Sequence, residues 1–461
     1  MTVPIAPDDQ LAAEATEHLR ALLRLDTTNP PGNETLAAEY AAGILRAAGI
    51  AAEVIESAPG RGNLVARLRA TVDAPEPALL LHGHLDVVPA RQDDGWTHAP
   101  FSGDLADGYI WGRGALDHKS TSAMTLAAIV ALHAAGVPLR RDIIFAATAD
   151  EEAGGFAGAG WLVDHRPELL DAAFCIGEGG GYGSYIAGRR VYPCSIAEKG
   201  SCRLRITARG PAGHGAMPTP DNAILTLATA LKRLTRPLPY HRVDAVAQFI
   251  AGIAPLGGGA QRTFLGGLAR SGRGARAVAL AATRGGPTLR ALARQINPML
   301  RNTASPTMLE AGLGANVIPA QASATLDGRY LPGQTAASFM AELRAALGPR
   351  LARMVEIEAD HVTRAIEMPW ASPLASAITA TMAKHEPDAP VLPFMLTAVT
   401  DAKHLTRLPS LRHYYGFNPL RAPRDFPLLE QLHAVDERIP VEGLSFGVHV
   451  LHDILRAFCA A

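Results

Sequence analysis

The chain reads as an α/β protein, a layered mixed-sheet domain interrupted by a smaller inserted α+β domain. Two observations predict this. Residues 1–199 alternate helix-length amphipathic patterns with short apolar runs, and the pattern changes near 200 and returns near 363. The expected organisation is therefore 1–199 and 363–461 as two parts of one domain, with 200–362 inserted between them. A chain of 461 residues, 48% hydrophobic, has enough apolar surface for more than one core.

In chain order, helix patterns cover Leu11 to Leu25 and Glu34 to Ala48. The run Leu79-Leu80-Leu81-His82 is strand-like and leads into His84, Leu85 and Asp86. A glycine-flanked loop from Gly112 to Ser120 carries Asp117 and feeds the helix pattern Ser122 to Ala135. A second buried strand, Ile143 to Ala149, ends in Asp150, Glu151 and Glu152 before Gly154 and Gly155. A third, Phe174 to Gly177, ends at Glu178. In the inserted part a strand ends at Ala208 and the helix pattern Asn222 to Leu234 follows. After these come the strand Ser323 to Tyr330, the helix Ser338 to Leu347 and the strand Val355 to Ala359. Residues 245–305, rich in Gly, Ala and Arg, read as a helical insertion, with Arg270, Arg273, Arg276, Arg284 and Arg290 on an amphipathic helical surface. The helices Leu374 to Ala383 and Leu444 to Phe458 close the larger domain, and His433 precedes Val435 to Val441 on a loop.

Three strands thus end in acids or imidazoles at one edge, the edge where open α/β sheets bind ligands. Singly, a His after an apolar strand is usually a core residue and an Asp among glycines a turn former. Together they are better read as a site, because adjacent carboxylates repel one another unless cations neutralise them. Alternation along an extended chain places His84 and Asp86 on one side, so the Asp86 carboxylate is expected to accept the second N–H of the imidazole. Imidazole and carboxylate donors without thiolates suit zinc, cobalt or manganese.

These motifs, with Leu23 to Glu34, Trp96 to Phe101 and His433 to Glu442, resemble the co-catalytic zinc aminoacylase and carboxypeptidase family. That family includes acetylornithine deacetylase, succinyl-diaminopimelate desuccinylase and glutamate carboxypeptidase. The resemblance implies a phosphorylase/hydrolase-like catalytic domain with a ferredoxin-like, dimerisation-type lid. It implies two divalent ions, zinc first and cobalt or manganese next: His84, Asp117 and Glu178 hold one, and Asp117, Glu152 and His433 the other. Asp117 is then the bridge, Glu151 the general base, Asp86 the orienter of His84 and His214 the oxyanion donor. Asn316 and Arg329 match substrate-binding positions, and an Arg fork suits a free carboxylate. The implied reaction is hydrolysis of an N-acyl amino acid or small peptide by metal-activated water. Within the family a dipeptidase or a dedicated deacylase is the alternative. A non-catalytic relative would be expected to have lost Glu151 or Asp117. His118 and Ser120 depart from the family pattern, and His118 is placed outside the ligand set. Thr400-Asp401-Ala402 resembles a segment that lines the family's substrate pocket. A homodimer through the lid is also implied by the resemblance.

Formal net charge is −1 and 5% of residues are aromatic, so neither nucleic acid nor membrane surface is expected as a partner. Met1 to Gln10 lack the basic start and apolar core of a secretory signal. Cys175, Cys194, Cys202 and Cys459 show no paired spacing and read as free buried thiols, which agrees with a cytoplasmic enzyme.

Overall fold

The computed structural model describes residues 9–186, 188–270, 284 and 287–461. The chain divides into two units. One runs to Ile196 and resumes over Met368–Pro393 and Thr400–Ala461; the other comprises Ala197–Glu367 and Phe394–Val399. The sequence places Phe394–Val399 with the larger domain, whereas the fold gathers them with the insertion. Phe394 meets Phe249 edge-on, ring centroids 5.1 Å apart, and the Lys199 N–H donates to the Leu396 carbonyl at 3.3 Å.

In the first unit the three acid-tipped strands are neighbours and parallel. Glu76–His84 lies between Arg141–Thr148 and Phe174–Gly177, with Leu79 opposite both Ile143 and Phe174. Their C-terminal ends therefore face the same way. Gly62–Leu68 and Ala51–Glu56 extend the sheet antiparallel on one side. On the other side His413–Gly416 runs parallel and Arg189–Glu198 antiparallel, which makes the sheet mixed. The central strands are buried along nearly their whole length, which explains why they read as continuous apolar runs.

Helix Lys119–Ala134 packs with Gln10–Leu23 and Val441–Cys459 and is buried on every face over most of its length. It starts three residues before the expected Ser122 because Lys119 is itself buried. The Lys119 side chain donates to the carbonyls of Leu22 (3.0 Å) and Leu25 (2.8 Å), at and just beyond the end of helix Gln10–Leu23.

The second unit holds a four-stranded antiparallel sheet in the order Thr303–Ala311, Gln321–Tyr330, Gly200–Arg209, Val355–Thr363. Helices Ala223–Leu234 and Ala336–Leu347 pack against it. Strand, helix, two strands, helix and strand in chain order is the ferredoxin-like arrangement. Cys202, Leu204, Ile206 and Ala208 face the core, while Arg203, Arg205 and Arg209 face outward. Between the first helix and the edge strand lie helices Asp244–Ile253, Gly259–Arg270 and Pro287–Ile296. Of the arginines read as an amphipathic surface, Arg284 and Arg290 are exposed. Arg273, Arg276 and the Arg270 side chain lie outside the described residues.

A buried ion cluster joins the N-terminal segment to the strand that ends in acids. The Arg61 guanidinium grips both oxygens of the fully buried Glu34 (2.9 and 2.8 Å) and reaches Asp150 Oδ1 at 2.9 Å. Removing a partner from a buried pair strands the remaining charge. Arg61→Met should therefore cost about 3–5 kcal/mol in denaturant unfolding, and replacing Glu34 by Met as well should restore only part of it, because Asp150 still lacks its cation. A loss under about 1 kcal/mol in the single variant would show that the cluster is solvated.

Candidate metal centre

The site is built where the three parallel strands end. His84 closes the first, is fully buried, and presents Nε2 to Asp117 Oδ1 at 3.1 Å. Asp117 comes from the loop that opens helix Lys119–Ala134, and its peptide bond to His118 is cis. Glu151 and Glu152 lie on a short 3-10 turn directly beyond the second strand, after Asp150 in a left-handed conformation (φ 72°). Glu178 follows the third strand, its Oε2 4.0 Å from His84 Nε2. His433, from the C-terminal segment, places Nε2 at 3.2 Å from Asp117 Oδ2 and 3.2 Å from Glu152 Oε1. The two oxygens of the Asp117 carboxylate thus address two different imidazoles, one from each end of the chain.

This donor set fits divalent ions. In a tetrahedral site with bonds of about 2.0–2.1 Å, two ligand atoms are separated by roughly 3.3 Å. The separations of 3.1 and 3.2 Å around Asp117 match that edge, and the ligand atoms of His84, Asp117 and Glu152 all lie within 4.8 Å of one another. A second grouping, His84 with Glu151 and Glu178, satisfies the same limit.

Electrostatics follow from the crowding of acids. Burial opposes charge on His84, but Asp117 and Asp86 outweigh it and hold the imidazole well above its usual value. Hydrogen bonds to Asp117 and Glu152 raise His433 to about 10. Burial would raise Asp117, yet the two imidazoles hold it well below the carboxylate range. Glu151 behaves differently: burial pushes it up to about 8, against the pull of Lys403, whose Nζ is 3.6 Å from Glu151 Oε1. Ions bound here compete with protons on the imidazoles, so affinity rises with pH.

One expectation is corrected. His84 Nδ1 meets the backbone carbonyl of Asp86 at 3.0 Å, and the Asp86 carboxylate lies farther off at 3.5 Å. The strand ends at His84, so the alternation that would aim both side chains together stops there. The Asp86 carboxylate instead accepts the N–H groups of Glu151 (3.0 Å) and Glu152 (3.1 Å) and the Asn29 amide (2.8 Å). It anchors the turn that carries the acids.

His118 stays outside the donor set. Its ring stacks on His84, centroids 5.4 Å apart, and hydrogen-bonds Thr121 (3.0 Å) and Asn418. Burial, with the neighbouring His84, lowers it to about 3, so it is a neutral packing partner.

Several further residues lie in segments that the sequence singles out, but their partners appear only in the fold. Asp401 is fully buried and takes a hydrogen bond from Thr148 Oγ1 (3.1 Å), with His82 Nε2 at 3.4 Å and Lys403 Nζ at 3.9 Å. A Cβ on Gly155 (φ 76°) would fall 2.1 Å from Asp401 Oδ1, so only glycine lets the acid-bearing turn close on this carboxylate. Glu437 and Arg113 also meet beside the donor set. The sequence shows each as one residue of a motif, and their pairing across the chain appears only in the fold.

The other residues that the sequence singles out, His214, Asn316 and Arg329, lie in the second unit. His214 and Asn316 share a two-stranded ribbon: His214 pairs with Val317, and the Gly215 N–H donates to the Asn316 carbonyl at 2.7 Å. Both are exposed, and His214 Nδ1 accepts the Ala216 N–H at 3.1 Å. Arg329 lies on Gln321–Tyr330 with its Nε on Asp327 Oδ1 at 2.9 Å, leaving its side chain 30% exposed.

Comparison with known proteins agrees with this architecture. A family model described as peptidase family M20/M25/M40 matches residues 80–457. The probable carboxypeptidase S-like 2 of Dictyostelium discoideum is 28% identical over 388 residues, covering 82% of this chain and 71% of its own. The succinyl-diaminopimelate desuccinylase of Methylorubrum extorquens is 35% identical over 224 residues, covering 46% of this chain and 55% of its own. Among solved structures, an M20 family metallo-carboxypeptidase from Sulfolobus solfataricus superposes with TM-score 0.72 at 18% identity, covering 96% of this chain and 99% of the other. The chain belongs to the M20/M25/M40 peptidase family and is a metal-dependent hydrolase of amide or peptide bonds.

Proposed function

We propose that the chain is a two-metal amidohydrolase that cleaves the amide bond of an N-acyl amino acid or small peptide bearing a free carboxylate. The observation that carries this reading is the Asp117 carboxylate, whose oxygens lie 3.1 Å from His84 and 3.2 Å from His433. Such a carboxylate is what two cations roughly 3.5–4 Å apart need to share. His84, Asp117 and Glu178 would hold one ion and Asp117, Glu152 and His433 the other, with zinc proposed ahead of cobalt or manganese. When bound, the ions supply Lewis acidity, lowering the pKa of water and polarising the scissile carbonyl.

Glu151 is the proposed general base. It is part-buried and adjoins the ligand Glu152, and burial raises its proton affinity into the range where a carboxylate can take and return a proton near neutrality. It would remove a proton from the attacking water and deliver it to the departing nitrogen as the C–N bond breaks. Asp86 holds the backbone of this turn through two N–H groups. In the second unit His214 is the proposed oxyanion donor, with Asn316 and Arg329 as substrate contacts. Arg329 uses one guanidinium nitrogen on Asp327, and the other two suit a carboxylate fork.

We also propose a second copy of the chain as partner through the inserted unit. Thr303–Ala311 is an edge strand, with Met308 59% and Leu309 65% exposed, and such edges favour strand pairing. The cytoplasm is the proposed compartment, in keeping with four free, buried cysteines. Among the described residues no helix is long and apolar enough to cross a membrane.

Three outcomes are expected. Glu151→Gln should retain both ions by elemental analysis and lose at least about 10²-fold in kcat on N-acetyl, N-succinyl or longer N-acyl amino acids and dipeptides. Full turnover would sink the base assignment. Arg329→Ala should raise KM for a free-carboxylate substrate and spare its amidated analogue, and equal effects on the two would remove Arg329 from the substrate site. Light scattering should give the mass of a dimer, and Leu309→Lys should shift it to that of a monomer. A monomeric wild-type protein at micromolar concentration would refute the partner proposal.

A further inference from the structure

Buried beside the candidate donor set, Arg113 and Glu437 bind one another and grip the loops that carry Asp117 and His433. Glu437 Oε2 pairs with Arg113 Nη1 at 2.6 Å, and Glu437 Oε1 accepts the N–H groups of Leu116 (2.8 Å) and Asp117 (3.2 Å). Arg113 donates from Nη1 to the Ala434 carbonyl (3.1 Å) and from Nη2 to the His433 carbonyl (3.0 Å). The partners are 324 residues apart in sequence, and they are 3% and 0% exposed.

We infer that Arg113 and Glu437 are positioning residues that set the metal position shared by Asp117, Glu152 and His433, an inference that rests on the two-metal reading. Three observations point this way. First, the carboxylate and the guanidinium each hold the main chain at a different proposed ligand, Asp117 and His433. Second, the loop they hold needs external support: His433 and Asp436 both sit at φ 62°, a region costly for side-chain-bearing residues. Third, a buried ion pair contributes little net stability, because desolvation offsets its attraction. Geometry is then its better explanation. The ladder of Arg438–Pro440 with Tyr109–Trp111 and the bond from the Gly112 N–H to the Glu437 carbonyl (3.0 Å) set the two loops side by side, and the clamp fixes their tips.

The position held by His84 and Glu178 is outside the grip of this pair except through Asp117. Loosening the clamp should therefore affect the two positions unequally. The test is zinc titration calorimetry with elemental analysis on metal-stripped full-length protein. The first variant, Arg113→Met with Glu437→Met, leaves no unpaired buried charge. The second, Arg113→Lys, keeps the charge but loses the planar fork that serves a carboxylate and two carbonyls together. Wild type should bind two ions. In either variant one should bind as in wild type and the other about 10–100-fold more weakly. In a His433→Ala background the same substitutions should cost less than in wild type, because only the hold on Asp117 is then lost. Two ions at wild-type affinity, or equal weakening of both, in whichever variant folds would overturn the clamp. A wild type that binds fewer than two ions would instead overturn the two-metal reading on which it rests.

Discussion

Carboxylates gathered within a few ångströms of one another require compensating charge, and the first unit is arranged around that requirement. Two unit charges 4 Å apart interact by about 4 kcal/mol at an effective dielectric of 20. Asp86, Asp117, Glu151, Glu152 and Glu178 all lie at one end of three adjacent parallel strands, so the repulsion is several times that unless cations are brought in. The fold brings His84 from inside the sheet and His433 from the other end of the chain, and both imidazoles are driven towards the charged form. A site that draws protons onto its imidazoles so strongly is also one in which divalent ions replace them.

Each acid is fixed by its surroundings as well as by charge. Asp86 is consumed by two backbone N–H groups and Asn29; Asp150 turns away to Arg61 and the Ala157 N–H. Three consecutive acids therefore have separate fates: Asp150 is structural, Glu152 faces His433, and Glu151 is left beside Lys403. Asp401 and Lys403 arrive from a short helical segment that closes on Gly155, in a place where any side chain would collide with the Asp401 carboxylate. The different surroundings of these carboxylates are thus made by what the next strand and the C-terminal segment put against each of them.

How much of this the sequence discloses depends on the range of the interaction. His84, Glu151, Glu152 and Glu178 were legible because a buried parallel strand leaves a local mark, an apolar run ending abruptly in polar residues before glycine. The α+β character of the inserted unit was legible from the strand ending at Ala208 and the helix spacing of Asn222 to Leu234, and its ferredoxin-like form only from the family resemblance. The Asp86 contact was misjudged by one ångström-scale detail, the end of the strand at His84, which changes the side chain's direction without changing the pattern. Arg113 with Glu437, and Lys403 with Glu151, leave no local mark at all. Their contacts span 324 residues in one case and just over half of the chain in the other, and a single Arg or Lys in a loop reads as solvated until the fold buries it.

Arg329 shows where the physics of a single side chain stops short of function. Its contact to Asp327 joins residues two apart on one strand, the arrangement that a surface ion pair would also adopt. Exposed pairs of this kind are worth about 0–1 kcal/mol, so Asp327 does not commit the guanidinium to a structural role. The contact uses Nε and so orients the fork, leaving Nη1 and Nη2 in a fixed plane. A lysine at that place could hold Asp327 equally well but could not present a second planar edge. The identity of the residue, more than its pairing, is what argues for carboxylate recognition, and the same logic applies to Arg113, whose planar fork holds one carboxylate and two carbonyls at once.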